Sequence, residues 1–404
     1  MEAGIKLAAI PDADYPEYRR EVIFNAYKWD PQVGDHNTIA KHVVLMEPET
    51  ARRLEQWAEQ LSAETMLMEE TLKGAPAVAR GLGLPRKIAR ALEKASGYQR
   101  EKHVRLMRFD FHPAREGWVV SEVNSDVPGG LAEASVLPAI ARRWHPSFAP
   151  RGNTADALLA AFQKRIRPGG AVAFVHATSY SDDRQVMQFL GDHFEAAGLR
   201  ALYAAPDHIA WDNRRAVGAD GIVRFFPLEW LANLPRKAGW TGYFDCETPS
   251  CNPPVSMFTQ SKRLPLVWDR LGIEIPAWRR LLPETADPKI FERRAENPRD
   301  LGGWILKPAL GRVGEGISIA GTLPEKEMRM IEKAAKKNPL DWVAQRMFHS
   351  QPLAAENGEA FHACVGAFTV DGKSAGFYAR ISPHPRIDAN ARDIPVLVRN
   401  EEKP

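Results

Sequence analysis

Cysteine is scarce in this chain. The 404 residues contain only Cys246, Cys251 and Cys364. That is too few for a disulfide framework, and the spacing of the first two fits no zinc-site pattern. Long apolar runs are missing as well. No uncharged stretch approaches the ~20 residues of a membrane-spanning helix. The opening segment, MEAGIKLAAIPDADYPEYRR, lacks the basic region and apolar core of a secretory signal. Charge of one sign is also lacking: 54 Lys and Arg stand against 51 Asp and Glu, a net of +3. The basic residues are scattered, which argues against a nucleic-acid surface or a charged tail. The expectation is a cytoplasmic protein with ordinary thiols and neither a membrane nor a nucleic-acid partner.

What is present is globular. Hydrophobic residues make up 44% and charged residues 26%, enough for two or three units with a sizeable core. Residues 49–72 carry Leu54, Trp57, Leu61 and Met66 to Met68 at helical spacing, and 85–97 read as a second helix. Near residue 171 the pattern changes. AVAFVHA is a buried strand, and SDDRQVMQFLGDHFEAAG is a helix with Ser181 as its cap and Gly198 at its close. LRALYAA and DGIVRFF are further strands. Strand, helix and strand at this spacing describe a βαβ unit on a parallel sheet. It has no G-x-G-x-x-G, so no nicotinamide cofactor is required. The C-terminal part offers strands in GGWILKPAL, GISIAG and DWVAQRMF, a helix in EKEMRMIEKAAKKN, and a hairpin over 360–382 turned by Asp371-Gly372. The expected division is 1–149, 150–245 and 246–404.

Residues 108–130, RFDFHPAREGWVVSEVNSDVPGG, hold the first chemical signal. In 104–111, Met107, Phe109 and Phe111 share one strand face, and Leu106, Arg108 and Asp110 the other. In 118–124, Val119, Ser121 and Val123 share one face, and Trp118, Val120, Glu122 and Asn124 the other. HPAREG can supply the turn. Paired with the aromatic face buried, these runs gather Asp110, Glu122 and Asn124 as oxygen donors, with Arg108 beside them. Hard cations such as Mg²⁺ take such donors together with substrate phosphates. A sheet with one wet face and weak surface ion pairs explains the alternation too. The NSDVPGG that follows, with a rigid proline beside two permissive glycines, suits a backbone that approaches a ligand.

The second signal is WILKPALGRVGEGISIA. Here a strand ends near Lys307, and Gly311, Gly314 and Gly316 punctuate the link to the next strand. A Walker loop would run into a helix with its lysine last. Strand to strand with the lysine first suggests a flap over phosphates, with Lys307 as a point charge and Arg312 folding down. An ordinary glycine turn is the plainer alternative. Other candidates are weaker. His176 reads as a satisfied core residue. A Cys364/His362 dyad is poor because residues two apart on a strand rarely meet as nucleophile and base. A glycosidase pair of Asp110 and Glu122 leaves the lysines and the flap without a role.

Together these segments resemble the ATP-grasp carboxylate–amine ligases. SEVNSDVPGG precedes ILKPALGRVGEG, the reverse of the usual order, which is similar to the circularly permuted group typified by glutathionylspermidine synthase. The resemblance implies an α/β (α+β) fold of ATP-grasp-like mixed sheets with an inserted Rossmann-like pre-ATP-grasp βαβ subdomain. RFD and SEVNSDVP resemble R-x-D and E-x-N-x-D-x-P, which makes Asp110, Glu122 and Asn124 the Mg²⁺ ligands and Arg108 a contact to the acyl phosphate or carboxylate. SKRLPLVW resembles N-K-x-x-x-P-L-W and makes Lys262 the first ATP lysine. LKPALGRVGEG resembles K-P-x-x-G-R-E-G, with Lys307 the second lysine and Gly311 to Gly316 the flap. Gln345 in WVAQRMF matches an adenine-side glutamine, and Arg380 in FYARIS a late arginine near the transferred phosphate. RFFPLEWL resembles an aromatic element of the same group. The sequence departs at Gly129 and Gly130, where the group has small hydroxyl residues, and at Val313, where it has Glu. The implied activity joins a small-molecule or peptide carboxylate to an amine through an acyl phosphate, yielding ADP and phosphate. A nucleotide- or peptide-binding module and a small-molecule kinase are the alternatives.

Overall fold

The computed structural model describes residues 3–96, 98–290, 303–311 and 324–401. Two hairpins build its central sheet. The early one pairs Leu106–Ala114 with Gly117–Asn124, and the late one pairs Ala360–Val370 with Lys373–Ser382. The Asp371-Gly372 turn forms as its residues require, with φ of 50° and 84°, the left-handed pair that a two-residue hairpin turn needs. Leu106–Ala114 then pairs antiparallel with Ala360–Val370, placing Asp110 opposite Gly366. Arg392–Ile394 extends the sheet beyond the late hairpin. Segments some 250 residues apart in sequence thus share one surface.

Simple alternation fails at one residue of the early hairpin. Asp110 faces Glu122, but Phe111 faces Val120, so Ser121 is an extra residue. Such a bulge reverses the faces of all that lies beyond it. Trp118 and Val120, expected on the charged face, are therefore buried with Phe109, Phe111 and Val123 in the main apolar cluster. Glu122 and Asn124 stay with Arg108 and Asp110. Burying a large apolar side chain is worth about 1.5–3 kcal/mol, against about 1 kcal/mol for a ladder hydrogen bond, so packing favours the bulge. The strands also run closer together than HPAREG suggests, with only Arg115 and Glu116 between them.

The βαβ unit forms as read. Ala171–His176 pairs parallel with Arg200–Ala204 on one side and with Gly221–Phe225 on the other, and Ser250–Cys251 continues the parallel sheet. The helix between the first two strands, Ser181–Ala196, buries Phe189, Leu190 and Phe194, and Gly198 follows it at φ 84°. Ser181 is not the cap. It is the first helical residue, Tyr180 precedes it, and no side chain caps the helix. Asp182 and Asp183 in the first turn meet the positive helix end instead. His176 is buried, as expected.

Two smaller sheets are present among the described residues, besides the two-stranded ribbons of Gln32–Val33 with His36–Asn37 and Trp211–Asp212 with Arg215–Ala216. Ile5–Ala9, His42–Met46, Val396–Arg399 and Phe148–Ala149 form one. Thr285–Ala286, Trp342–Arg346 and Trp304–Pro308 form the other, covered by the helix Glu325–Lys337 through Ile331 and Ala335 against Trp304, Leu306 and Ala344. Among the described residues, no helix is long and apolar enough to cross a membrane.

Buried charge joins these layers. Glu69, on the long helix Pro48–Lys73, takes a two-pronged contact from Arg105, with Nε at 3.1 Å and Nη2 at 2.6 Å. Arg105 also donates to the Ser125 carbonyl at 2.6 Å and to Asn252 Oδ1 at 3.1 Å. One residue on, the Asp126 carboxylate accepts from Arg224 Nη2 at 2.5 Å, the Leu228 amide at 2.9 Å and Ser256 Oγ at 3.3 Å. The Asp126 and Arg224 side chains are almost fully buried. Removing one partner strands the other's charge, so Asp126→Ala is expected to cost about 3–5 kcal/mol in urea unfolding, and the Asp126→Ala/Arg224→Met double variant less than the single. A loss of under ~1 kcal/mol for Asp126→Ala would remove this pair as a structural pin.

Candidate active site

The polar face of the central sheet carries the early-hairpin residues singled out in the sequence. Arg108 grips Asp110 with two hydrogen bonds, Nε to Oδ1 at 2.7 Å and Nη2 to Oδ2 at 2.9 Å. Its Nη1 donates to the Gly129 carbonyl at 2.6 Å, and its guanidinium lies 5.0 Å from the centre of the Tyr378 ring. Arg108 can lie flat because the facing strand has Gly366: a Cβ there would come within 2.7 Å of the arginine side chain. Gly130, at φ 87°, approaches the Tyr378 ring so closely that a Cβ would stand 2.8 Å from it. Asn124 Nδ2 donates to Asp110 Oδ2 at 3.0 Å.

Two lysines reach this face from elsewhere. Lys262 follows the short helix Ser256–Gln260. Its Nζ lies 3.0 Å from Glu122 Oε2 and donates to the Gly311 carbonyl at 2.6 Å. Lys307, on the strand Trp304–Pro308, donates to Gln345 Oε1 at 2.7 Å across the small sheet and stands 3.5 Å from the carbonyl of Ser121, the bulged residue. Between Glu122 and these lysines opens a cleft. Glu122, Lys262, Lys307 and Gln345 form its polar wall, while Leu264, Trp268, Trp278 and Leu282 form an apolar one. A slot with one flat aromatic side and one cationic side suits a molecule with a ring at one end and anionic groups at the other.

The electrostatics are specific. Burial alone would push the Glu122 carboxyl up, but Lys262 and Lys307 outweigh it and hold it at about 2. Burial presses the Lys307 ammonium down to about 8 against the pull of Glu122. Burial pushes the Cys364 thiol well above its ordinary range, and His362 hydrogen-bonds Ser350, so the two do not form a nucleophilic dyad. Among the described residues no three His, Cys, Asp or Glu side chains gather at metal-binding distances. The donor set of Asp110, Glu122 and the Asn124 amide oxygen nevertheless fits a hard divalent ion that takes its remaining oxygens from a bound anion.

Arg380 shares the polar face but stands apart from the lysines. It sits opposite Cys364 in the late hairpin. Its Nη2 donates to the carbonyls of Asp388 and Ala391 at 2.6 and 3.2 Å, and its Nε is 3.7 Å from Asp393. Asp393 also binds Lys28 Nζ at 2.6 Å and accepts from Tyr378 Oη at 2.7 Å. Arg312, Gly314 and Gly316 lie outside the described residues.

Residues 12–399 match the glutathionylspermidine synthase pre-ATP-grasp family. The chain belongs to that family. A protein of Haemophilus influenzae, named provisionally as an acid–amine ligase, is 25% identical over 224 residues, 52% of this chain and 54% of its own length. The match therefore spans about half of that relative. A glutathione synthetase-like effector of Globodera pallida, solved without ligand, superposes over 96% of this chain and 97% of its own with a TM-score of 0.65 at 11% identity. That likeness establishes a glutathione synthetase-like, ATP-grasp-type fold.

The family match also frames what the sequence reading missed. RFFPLEWL supplies Arg224 and the Leu228 amide to Asp126, so this aromatic element is a support for the E-x-N loop. Its position in the E-x-N-x-D-x-P pattern was the available signal for Asp126. Trp268 and Trp278 carried none, because they sit on two short helical segments, Trp268–Leu271 and Pro276–Leu281, that only the tertiary fold brings to the cleft. Neither did Lys28, whose partners lie more than 100 residues away.

Lys307 also yields a stability test. The folded chain binds its proton less tightly than the unfolded chain, so the charge costs stability at every pH below about 8. That cost fades as pH rises from there toward the ordinary lysine value. Lys307→Met is expected to be as stable as the parent at pH 7, or more so, in chemical denaturation. A loss of more than ~1 kcal/mol would show that the ammonium supports the fold.

Proposed function

We propose that this protein is an ATP- and Mg²⁺-dependent acid–amine ligase of the glutathionylspermidine synthase type. The observation that carries the reading is the meeting of Glu122 with Lys262 and Lys307 at one cleft, with Asp110 and Asn124 beside Glu122 on the same sheet face. The name of the Haemophilus influenzae relative agrees with it.

The triphosphate lies along Lys262 and Lys307, and the adenine lies against Trp268 and Trp278. Asp110, Glu122 and Asn124 would hold Mg²⁺, which would supply neutralisation of phosphate charge. The substrate carboxylate is oriented by Arg108, and its oxygen attacks the γ-phosphorus as the bond to the β-phosphate oxygen breaks, releasing ADP. Positioning and charge neutralisation carry such a transfer. Arg108 and Arg380 face the developing charge on the transferred phosphoryl group. The amine nitrogen then attacks the acyl carbon, phosphate leaves with the C–O electron pair, and the nitrogen gives up a proton. The glycine-rich segment after Lys307 is assigned the role of keeping water from the acyl phosphate.

Incubation of the full chain with ATP, Mg²⁺ and pooled peptides and polyamines should release phosphate only when a carboxylate and an amine are both present. Release without any need for the amine would point to a kinase. Tight ATP binding without substrate-stimulated release would reduce the protein to a binding module. Glu122→Ala should slow turnover at least ~10²-fold. A near-normal rate would refute its assignment to the metal.

A further inference from the structure

Charges in the cleft, and beside it on the same sheet face, are already paired with one another. Glu122, assigned to the metal, contacts Lys262, assigned to phosphate, at 3.0 Å. Asp110, the other metal carboxylate, is held by both prongs of Arg108, assigned to the acyl phosphate, at 2.7 and 2.9 Å. Lys307 is different. It contacts Gln345 and approaches the Ser121 carbonyl, without a direct contact to either acid. These groups are not crowded surface charges: the Lys262, Arg108 and Asp110 side chains are only 12%, 13% and 8% exposed.

We infer that the Lys262–Glu122 pair is a place-holder that makes the cleft take a divalent cation and a polyphosphate only as one ligand. The inference rests on the nucleotide reading above and deepens it. A free cation would have to evict Lys262 from Glu122 and leave that half-buried ammonium without a counter-charge. A free triphosphate would have to draw Lys262 away and leave the Glu122 carboxylate bare. Stranding one member of a buried pair is the costly event. When the two ligands arrive together, each charge exchanges one partner for another and none is stranded. By reciprocity, the factor by which the nucleotide tightens the metal must equal the factor by which the metal tightens the nucleotide.

The test uses Mn²⁺, followed by its electron paramagnetic resonance signal, and a non-hydrolysable ATP analogue, followed by calorimetry, on the full chain. The parent protein should bind Mn²⁺ at least ~10-fold more weakly alone than with the analogue, within the ordinary range of such coupling. Lys262→Met frees Glu122, so it should bind Mn²⁺ alone at least ~5-fold more tightly than the parent, with a smaller coupling factor. Lys307→Met removes an equal charge from the same cleft without a direct contact to an acid, and should change Mn²⁺ binding less. Glu122→Gln, measured in a chelator, frees Lys262 and should bind the analogue more tightly than the parent does. This variant is an independent arm if Lys262→Met fails to fold.

Equal Mn²⁺ affinity with and without the analogue would overturn the inference and leave the ligase reading intact. So would equal effects of the two lysine variants, which would mean a general field rather than a contact. If the parent binds neither the analogue nor Mn²⁺ in any combination, the nucleotide reading fails and this inference fails with it.

Discussion

The arrangement depends on one buried carboxylate. Asp126 comes two residues after Asn124, and its oxygens are held by Arg224 and the Leu228 amide from the parallel-sheet layer and by Ser256 from the short helix that leads to Lys262. The Ser125 and Asp126 amides both donate to Gln260 Oε1, at 2.9 and 2.8 Å. The end of the strand bearing Glu122 and the segment bearing Lys262 are thus tied to the same few atoms. A buried ion pair adds little net stability once desolvation is counted. Its value here is positional: an apolar replacement could fill the volume, but it could not hold an amide, a hydroxyl and a guanidinium in fixed directions.

The Arg105–Glu69 contact does the same at the other end of the loop. Arg105 begins the early hairpin, and its guanidinium spans Glu69 on the long helix, the Ser125 carbonyl and Asn252. The hairpin is therefore clamped both before its first strand and after its second. Between the clamps lies the Ser121 bulge, the one irregular point. It sits where the chain changes from packing the core with Trp118 and Val120 to presenting Glu122 and Asn124. A regular strand could do one or the other. The extra residue lets it do both, and it leaves the Ser121 carbonyl facing Lys307.

This explains which parts were legible in the sequence. Period-two alternation placed Arg108 and Asp110 on a polar face, and the Asp-Gly turn fixed the late hairpin, because both are local patterns with a local cause. The βαβ unit was legible for the same reason. The bulge was not, since alternation counts residues and cannot register one that is left unpaired. Ser181 misled because a helix start carries several acceptable residues, and Asp182 and Asp183 could serve the helix end without it. Lys307 was legible from the glycine-rich link that follows its strand, whereas Lys262 was found only through a short segment that resembles a known family. Their meeting with Glu122 is tertiary. Trp268 and Trp278 join the cleft only through chain folding, as Lys28 joins Asp393, so no window of sequence announces them.

The two smallest residues of the polar face explain why Arg108 can be so rigid. Gly366 removes the side chain that would lift Arg108 off the sheet, and Gly130 brings the loop down onto the Tyr378 ring. Arg108 is then fixed from three directions: by the Asp110 carboxylate, by the Gly129 carbonyl and by the face of the Tyr378 ring. Tyr378 is itself fixed through its hydroxyl to Asp393, which also faces Arg380. Both arginines are therefore referred to one frame, built by neighbouring strands of the same sheet. The departures at positions 129 and 130 belong to this arrangement. A hydroxyl side chain at 130 would collide with the ring that supports Arg108, so glycine there follows from the packing of this chain's own site.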